Sequence, residues 1–219
     1  MELLDFARGP ALTVGFAVFA LGTLWRLVGV LLLPRVDDLS PAREGAPGPA
    51  LAALRTILRR MWPRAEFLQR TLFVTINSYV FHIGLAVVVF GLAPHILFIR
   101  QLTGLHWPAL PSNLVFGVGV ITLAALLAAL ARRMTHPVTR LLSHAGDYIS
   151  WVMTTLPVVT GLLATSHLGA RYETLLAWHV LSIAAFLIWF PFGKLMHAVL
   201  FVFSRGATGR RFGHRGVSV

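Results

Sequence analysis

Cysteine is absent from the 219 residues. Structural disulfides, thiolate-bound iron–sulfur clusters and thiolate zinc sites within the chain are thereby excluded, and any metal must be held by His, Met or carboxylate. Charge is scarce too: 12% of residues are charged, and only 8 of these are acidic against 19 basic. The long apolar runs carry no acidic residue and no internal repeat is evident, so two features that mark transporters and channels are missing. The opening MELLDFARGP has two acids and one Arg, unlike the basic lead of a cleaved signal peptide. The first apolar run is therefore expected to stay as a membrane anchor.

What the chain has in quantity is apolar surface. Hydrophobic residues make up 57% of it and the mean hydropathy is +0.76, the composition of an integral membrane protein. Five stretches are long enough to span, at about 11–33, 72–99, 114–131, 148–164 and 174–203. The expected fold is all-α, a single five-helix transmembrane bundle in the inner (cytoplasmic) membrane. Residues 34–70 form a loop whose later part, LAALRTILRRMWPRAEFL, mixes apolar and basic residues like a helix lying on a membrane surface.

The net charge of +11 implies nucleic acid in a soluble protein, but here the basic residues lie between spans. Orientation and anionic lipid account for them, and no nucleic-acid partner is read. Arg35, Arg43, Arg55, Arg59, Arg60, Arg64 and Arg70 follow the first span, Arg132, Arg133 and Arg140 the third, and Arg205, Arg210, Arg211 and Arg215 the fifth. Arg8, Arg100 and Arg171 fall on the other side. The positive-inside rule then predicts the N-terminus outside and the C-terminus in the cytoplasm.

The stretch Trp178 to His197, WHVLSIAAFLIWFPFGKLMH, holds two histidines 18 residues apart. In one continuous helix that is five whole turns, which places both imidazoles on one stripe and roughly 27 Å apart. A lone intramembrane His often does no more than hydrogen-bond a neighbouring helix. Two in phase point instead to a bundle holding haem groups at two depths, each iron taking an imidazole from facing helices. The second span supplies partners: His82 at a depth suited to His197, and His95, roughly 20 Å further along, at a depth suited to His179. The phase of His95 is about 140° from that of His82, and Pro94 just before it offers a kink that turns the last part of the span.

Other polar residues carry smaller expectations. Arg26 either snorkels to the surface or pairs with a haem propionate. His106 and His167 are expected in solvated outer loops, His136 and His144 among lipid headgroups. Asp147 is placed to cap the fourth span, and Gly84, Gly91 and Gly161 permit close approach of a helix or a flat macrocycle.

FHIG at Phe81 to Gly84, WHVL at Trp178 to Leu181 and FPFGKLMH at Phe190 to His197, with the pair Trp25 and Arg26, resemble the gamma, b-type cytochrome subunit of membrane-bound respiratory nitrate reductases and the related haem subunits of sulfur-cycle redox complexes. The resemblance implies a membrane anchor with two b haems that exchanges electrons between the quinone pool and cytoplasmic iron–sulfur and catalytic subunits. His82 and His197 match the ligands of the haem nearer the cytoplasm, and His179 one ligand of the outer haem. The family's second histidine on the helix of His82 stands ten residues later, where this chain has Leu92. His95 is then the candidate substitute, with an absent or differently ligated outer haem as the alternative, and the quinone site that the resemblance implies adjoins that haem. A small transporter using the intramembrane histidines as a proton relay is the alternative function, and a purely structural anchor a third.

Overall fold

The computed structural model describes residues 2–34 and 38–217, all helix and connecting turns. Five helices are long and apolar enough to cross a membrane. They are α1 (Glu2–Leu31), α3 (Ala65–Gly91), α5 (Ser112–Thr135), α7 (Ala145–Ser166) and α8 (Tyr172–Trp189). The chain is thus a multi-pass membrane protein. Shorter helices are α2 (Pro49–Arg59), α4 (Ala93–Thr103), α6 (Pro137–Leu141) and α9 (His197–His214).

The spans pack in the order α3, α5, α7, α8, α1, each on the next. Side-chain donors reach across to backbone carbonyls: Asn77 Nδ2 donates to Ala125 (3.0 Å) and Trp151 Nε1 to Leu126 (2.8 Å). In lipid such bonds replace the hydrophobic drive that packs soluble helices. Small residues do the rest. Gly15 of α1 lies against the Ala184 backbone of α8, and Gly84 of α3 faces Thr122 of α5. The outward faces carry exposed Leu21, Leu24, Ile83 and Ile121, as a lipid-facing surface requires.

Across the open side of this arc α3 and α8 barely touch. A cavity of about 480 Å³ lies there, walled by Phe73, Phe81 and His82 of α3, Trp151 of α7, Phe186 of α8 and His197. The size falls within the range of about 300–1,000 Å³ typical of cofactor sites.

One expectation is overturned. The stretch 174–203 is not a single helix, and His179 and His197 do not share a face of one. α8 ends at Trp189, and a short 3-10 turn, Lys194–Met196, precedes α9. The cause is local. Pro191 has no N–H for the Leu187 carbonyl, and the Trp189 carbonyl instead accepts from Phe192 (3.1 Å) and Gly193 (2.9 Å). A Cβ at Gly193 would run into the Trp189 indole, whose Nε1 donates to Ser150 Oγ at 3.0 Å.

The loop expected to carry a membrane-surface helix over LAALRTILRRMWPRAEFL holds a shorter helix, α2, which ends at Arg59 and packs along α9, while the residues from Ala65 belong to α3. Gly209 and Gly213 bring α9 onto Ala52 and Thr56. The opposite face of α2 exposes Leu51, Leu54 and Leu58. Trp62 stacks near Tyr79 of α3, whose hydroxyl donates to the Met61 carbonyl. Arg35, one of the basic residues counted with this loop, lies outside the described residues.

Candidate functional site

The second span is broken as Pro94 suggested. Helix α3 stops at Gly91, Leu92 is extended (φ −81°, ψ 129°), and α4 restarts at Ala93. The break leaves carbonyls without helical donors, and three find others: Trp107 Nε1 donates to Phe90 (2.6 Å) and the Leu110 amide to Gly91 (2.9 Å). A third, Val88, accepts from His95 Nδ1 at 2.9 Å. Buried backbone polar groups in a membrane must be satisfied internally. Here that requirement turns the His95 ring back along α3 and against α8.

The consequence is two histidine pairs. His82 and His197 have ring centroids 6.1 Å apart with planes at 89°, and His95 and His179 have centroids 6.1 Å apart with planes at 24°. Two imidazoles on opposite sides of one metal, with metal–nitrogen bonds of about 2.0 Å and about 1.1 Å from each nitrogen to its centroid, would stand about 6.2 Å apart. Both pairs meet that spacing. Among the described residues no three His, Asp or Glu side chains gather as a metal site. What each pair offers is two donors and no more, which is what a haem asks of a protein.

Proton positions agree. His82 Nδ1 donates to the Ser78 carbonyl (2.7 Å) and His197 Nδ1 to the Lys194 carbonyl (2.8 Å), in addition to His95 on Val88. A carbonyl only accepts, so Nδ1 carries the proton and Nε2 keeps its lone pair. His179 Nδ1 lies 3.2 Å from Thr160 Oγ1, whose own proton goes to the Leu156 carbonyl at 2.8 Å. Such second contacts fix the tautomer and orientation of metal-ligating histidines. Gly161 makes room for this ring: a Cβ there would sit 3.1 Å from His179 Cε1. Of the other glycines singled out, Gly91 adjoins Leu110.

The basic end of the cavity was not foreseen. Asp147, with a side chain only 4% exposed, binds Lys194 Nζ at 2.6 Å and Arg133 at 3.1 Å through Oδ1. Its Oδ2 accepts from His144 Nδ1 (2.5 Å) and the His144 amide (3.2 Å) in a capping box at the start of α7. His144 is thus a helix cap, and Asp147 its reciprocal partner. Arg132 also lines the cavity, with its guanidinium 5.9 Å above the Phe73 ring and its Nε buried without a hydrogen-bond partner. Lys194 is the chain's single lysine, inside an otherwise apolar run. That was the available signal for this cluster.

The remaining expectations fall as follows. Arg26 is exposed on α1 and does not line the cavity. His106 is exposed, while His167 caps the end of α7 in the left-handed region (φ 57°) and stacks on Tyr172 at 5.1 Å. His136 Nδ1 is buried without a hydrogen-bond partner.

No described protein-family profile matches the chain, and no solved structure matches it. A curated relative from Nitratidesulfovibrio vulgaris (strain Hildenborough), described only as a protein, is 32% identical over 207 residues, covering 93% of this chain and 91% of its own length. Similarity at that level over nearly the full length of both chains places this membrane protein in the same family as the Nitratidesulfovibrio vulgaris protein.

Proposed function

We propose that the chain is the haem b membrane subunit of a respiratory oxidoreductase, resembling the nitrate reductase gamma subunit, which passes electrons between the quinone pool and cytoplasmic iron–sulfur and catalytic subunits. The observation that carries this reading is the duplicated pair, His82 with His197 and His95 with His179, each at 6.1 Å. In three of the four residues a backbone carbonyl holds the Nδ1 proton, so Nε2 is ready to ligate. A bound haem supplies reversible one-electron chemistry. The chain's own residues set the spacing of the imidazoles, exclude water with Phe81, Phe186 and Trp151, and hold the two sites roughly 15 Å apart, the rise between the Ser78 and Val88 carbonyls on which His82 and His95 rest.

The arginine-rich end belongs in the cytoplasm under the positive-inside rule. The His82–His197 pair then lies near the electron-accepting partner, and the His95–His179 pair near the outer face, beside the quinone. Oxidising quinol on that side and delivering electrons on the other separates charge across the membrane. Arg205, Arg210 and Arg211 on α9, with Arg55 and Arg59 on α2, give the partner a basic surface to match with acidic residues.

Visible absorption of the purified protein tests the reading. Dithionite should produce the Soret and alpha bands of reduced b-type haem, with a pyridine haemochrome ratio of two haems per chain. A colourless preparation from haem-sufficient cells would overturn it and return the histidines to proton-relay or structural roles.

A further inference from the structure

We propose that the basic floor of the cavity beside His82 and His197 is a two-carboxylate site that holds the paired propionates of the haem, with Arg132 as its principal donor. The inference rests on the haem reading above and names the residues that orient the group at that site.

Charge comes first. Arg132, Arg133 and Lys194 line the same cavity as one acid, Asp147. Three cations against one carboxylate leave an excess of two positive charges, the complement of two ionised propionates. Asp147 is fully engaged by Lys194, Arg133 and His144 and has nothing left for Arg132. Lys194 and Arg133 keep further N–H donors, since an ammonium has three and a guanidinium five.

Arg132 has no such partner. Its Nε is buried and makes no hydrogen bond, and the guanidinium rests over the Phe73 ring. Arg132 is half-buried at the end of a membrane-spanning helix with no acidic partner among the described residues, and a buried guanidinium nitrogen there is held at a cost unless an anion meets it. Arginine's planar fork suits a carboxylate. The cavity above the floor is apolar, walled by Phe73, Phe81, Phe186 and Phe190, and opens toward the imidazoles of His82 and His197. A flat apolar body carrying two carboxylates along one edge matches both parts. Arg26, the residue the sequence suggested for this role, stands elsewhere.

An anionic phospholipid headgroup shares the negative charge and would satisfy the same cations, so the test must separate the two. The full chain, stripped of haem and held in phosphatidylcholine nanodiscs, is titrated with haem b and with haem b dimethyl ester, whose carboxylates are blocked. The wild-type chain should take one of two equivalents of haem at least about tenfold more tightly than the ester, the scale of a charge-assisted bond. Arg132→Gln should abolish that preference while leaving ester affinity unchanged, and Arg132→Lys should restore part of it. Equal affinity for haem and ester in the wild type, or equal loss of both in Arg132→Gln, overturns the proposal and leaves the haem reading standing. Loss of co-purified anionic phospholipid in Arg132→Gln, with haem preference intact, assigns the floor to lipid and also overturns it. A wild-type chain that binds neither compound defeats the haem reading itself.

Discussion

Replacing His95 with Leu is the sharpest perturbation of the two-site arrangement. Leucine has nearly the volume of the imidazole but no donor, so the 6.1 Å pair with His179 is broken while the His82–His197 pair, roughly 15 Å along the bundle, keeps every contact described for it. The substitution also strips the Val88 carbonyl of the donor 2.9 Å away. An unsatisfied buried acceptor costs about 1–3 kcal/mol, enough to lower thermal stability by several degrees but not to unfold the bundle. The haemochrome ratio should fall from two to one. The interplanar angles of 24° and 89° sharpen the assay: if both pairs ligate haem iron as proposed, near-parallel imidazoles would split the iron d orbitals strongly and near-perpendicular ones would leave them almost degenerate. Low-temperature electron paramagnetic resonance of the oxidised wild type should therefore show an ordinary rhombic low-spin signal and a strongly anisotropic one. In His95→Leu the rhombic signal should vanish and the other persist. Full haem content with both signals unchanged would show that His95 ligates nothing.

His197→Ala should do the reverse, removing the anisotropic signal and one haem while sparing the rhombic one. Gly161→Leu drives a side chain into the space of the His179 ring, 3.1 Å from a Cβ at that position, and should cost about 1–3 kcal/mol in thermal unfolding together with the far haem. Asp147→Asn leaves Lys194 and Arg133 without a counter-charge; both are more than a third exposed, so solvent screening should hold the loss to about 2 kcal/mol by calorimetry. The Asp38 carboxyl, hydrogen-bonded by Ser40 and paired with Arg215 at 2.8 Å, is held well below the ordinary carboxylate range. A depressed value means its tether stabilises the fold above the unfolded-state value and is lost only as pH falls through the folded one. Limited proteolysis at the end of α9 should therefore be unchanged at pH 4 and increase only in stronger acid.

Much of this was legible in the residues. Apolar run length located the five spans, and the depths of His82 and His95 along one run nominated the opposing histidines that the structure brings to 6.1 Å, because rise per residue is nearly constant along each helical part. The phase argument failed where backbone chemistry intervened. The 18-residue spacing of His179 and His197 assumed an unbroken helix, which Pro191 and Gly193 prevent; the opposition of His197 to His82 comes from the turn that follows, not from helical register. For His95 the break worked the other way, since the nominal 140° misfit is removed at Leu92. The charged floor was hidden for a different reason. Arg132, Arg133, Asp147 and Lys194 come from three segments, and their convergence on one cavity is a property of packing order, to which periodicity is blind.

The break at Pro191–Gly193 has a mechanical side. His197 is the first residue of α9, and α9 is clamped along its length to α2 through Gly209 and Gly213. The four residues between α8 and the 3-10 turn are not slack: Pro191 is fully buried against Gly22 of α1, and Lys194 just beyond them is tied to Asp147 of α7 at 2.6 Å. His197 is therefore braced from two sides, by the bundle through Lys194 and by the α2–α9 pair through its own helix. The His179 imidazole, within α8, has no such second attachment. A protein that grips the arginines of the α2–α9 pair thus has a mechanical connection to one histidine pair that the other pair lacks.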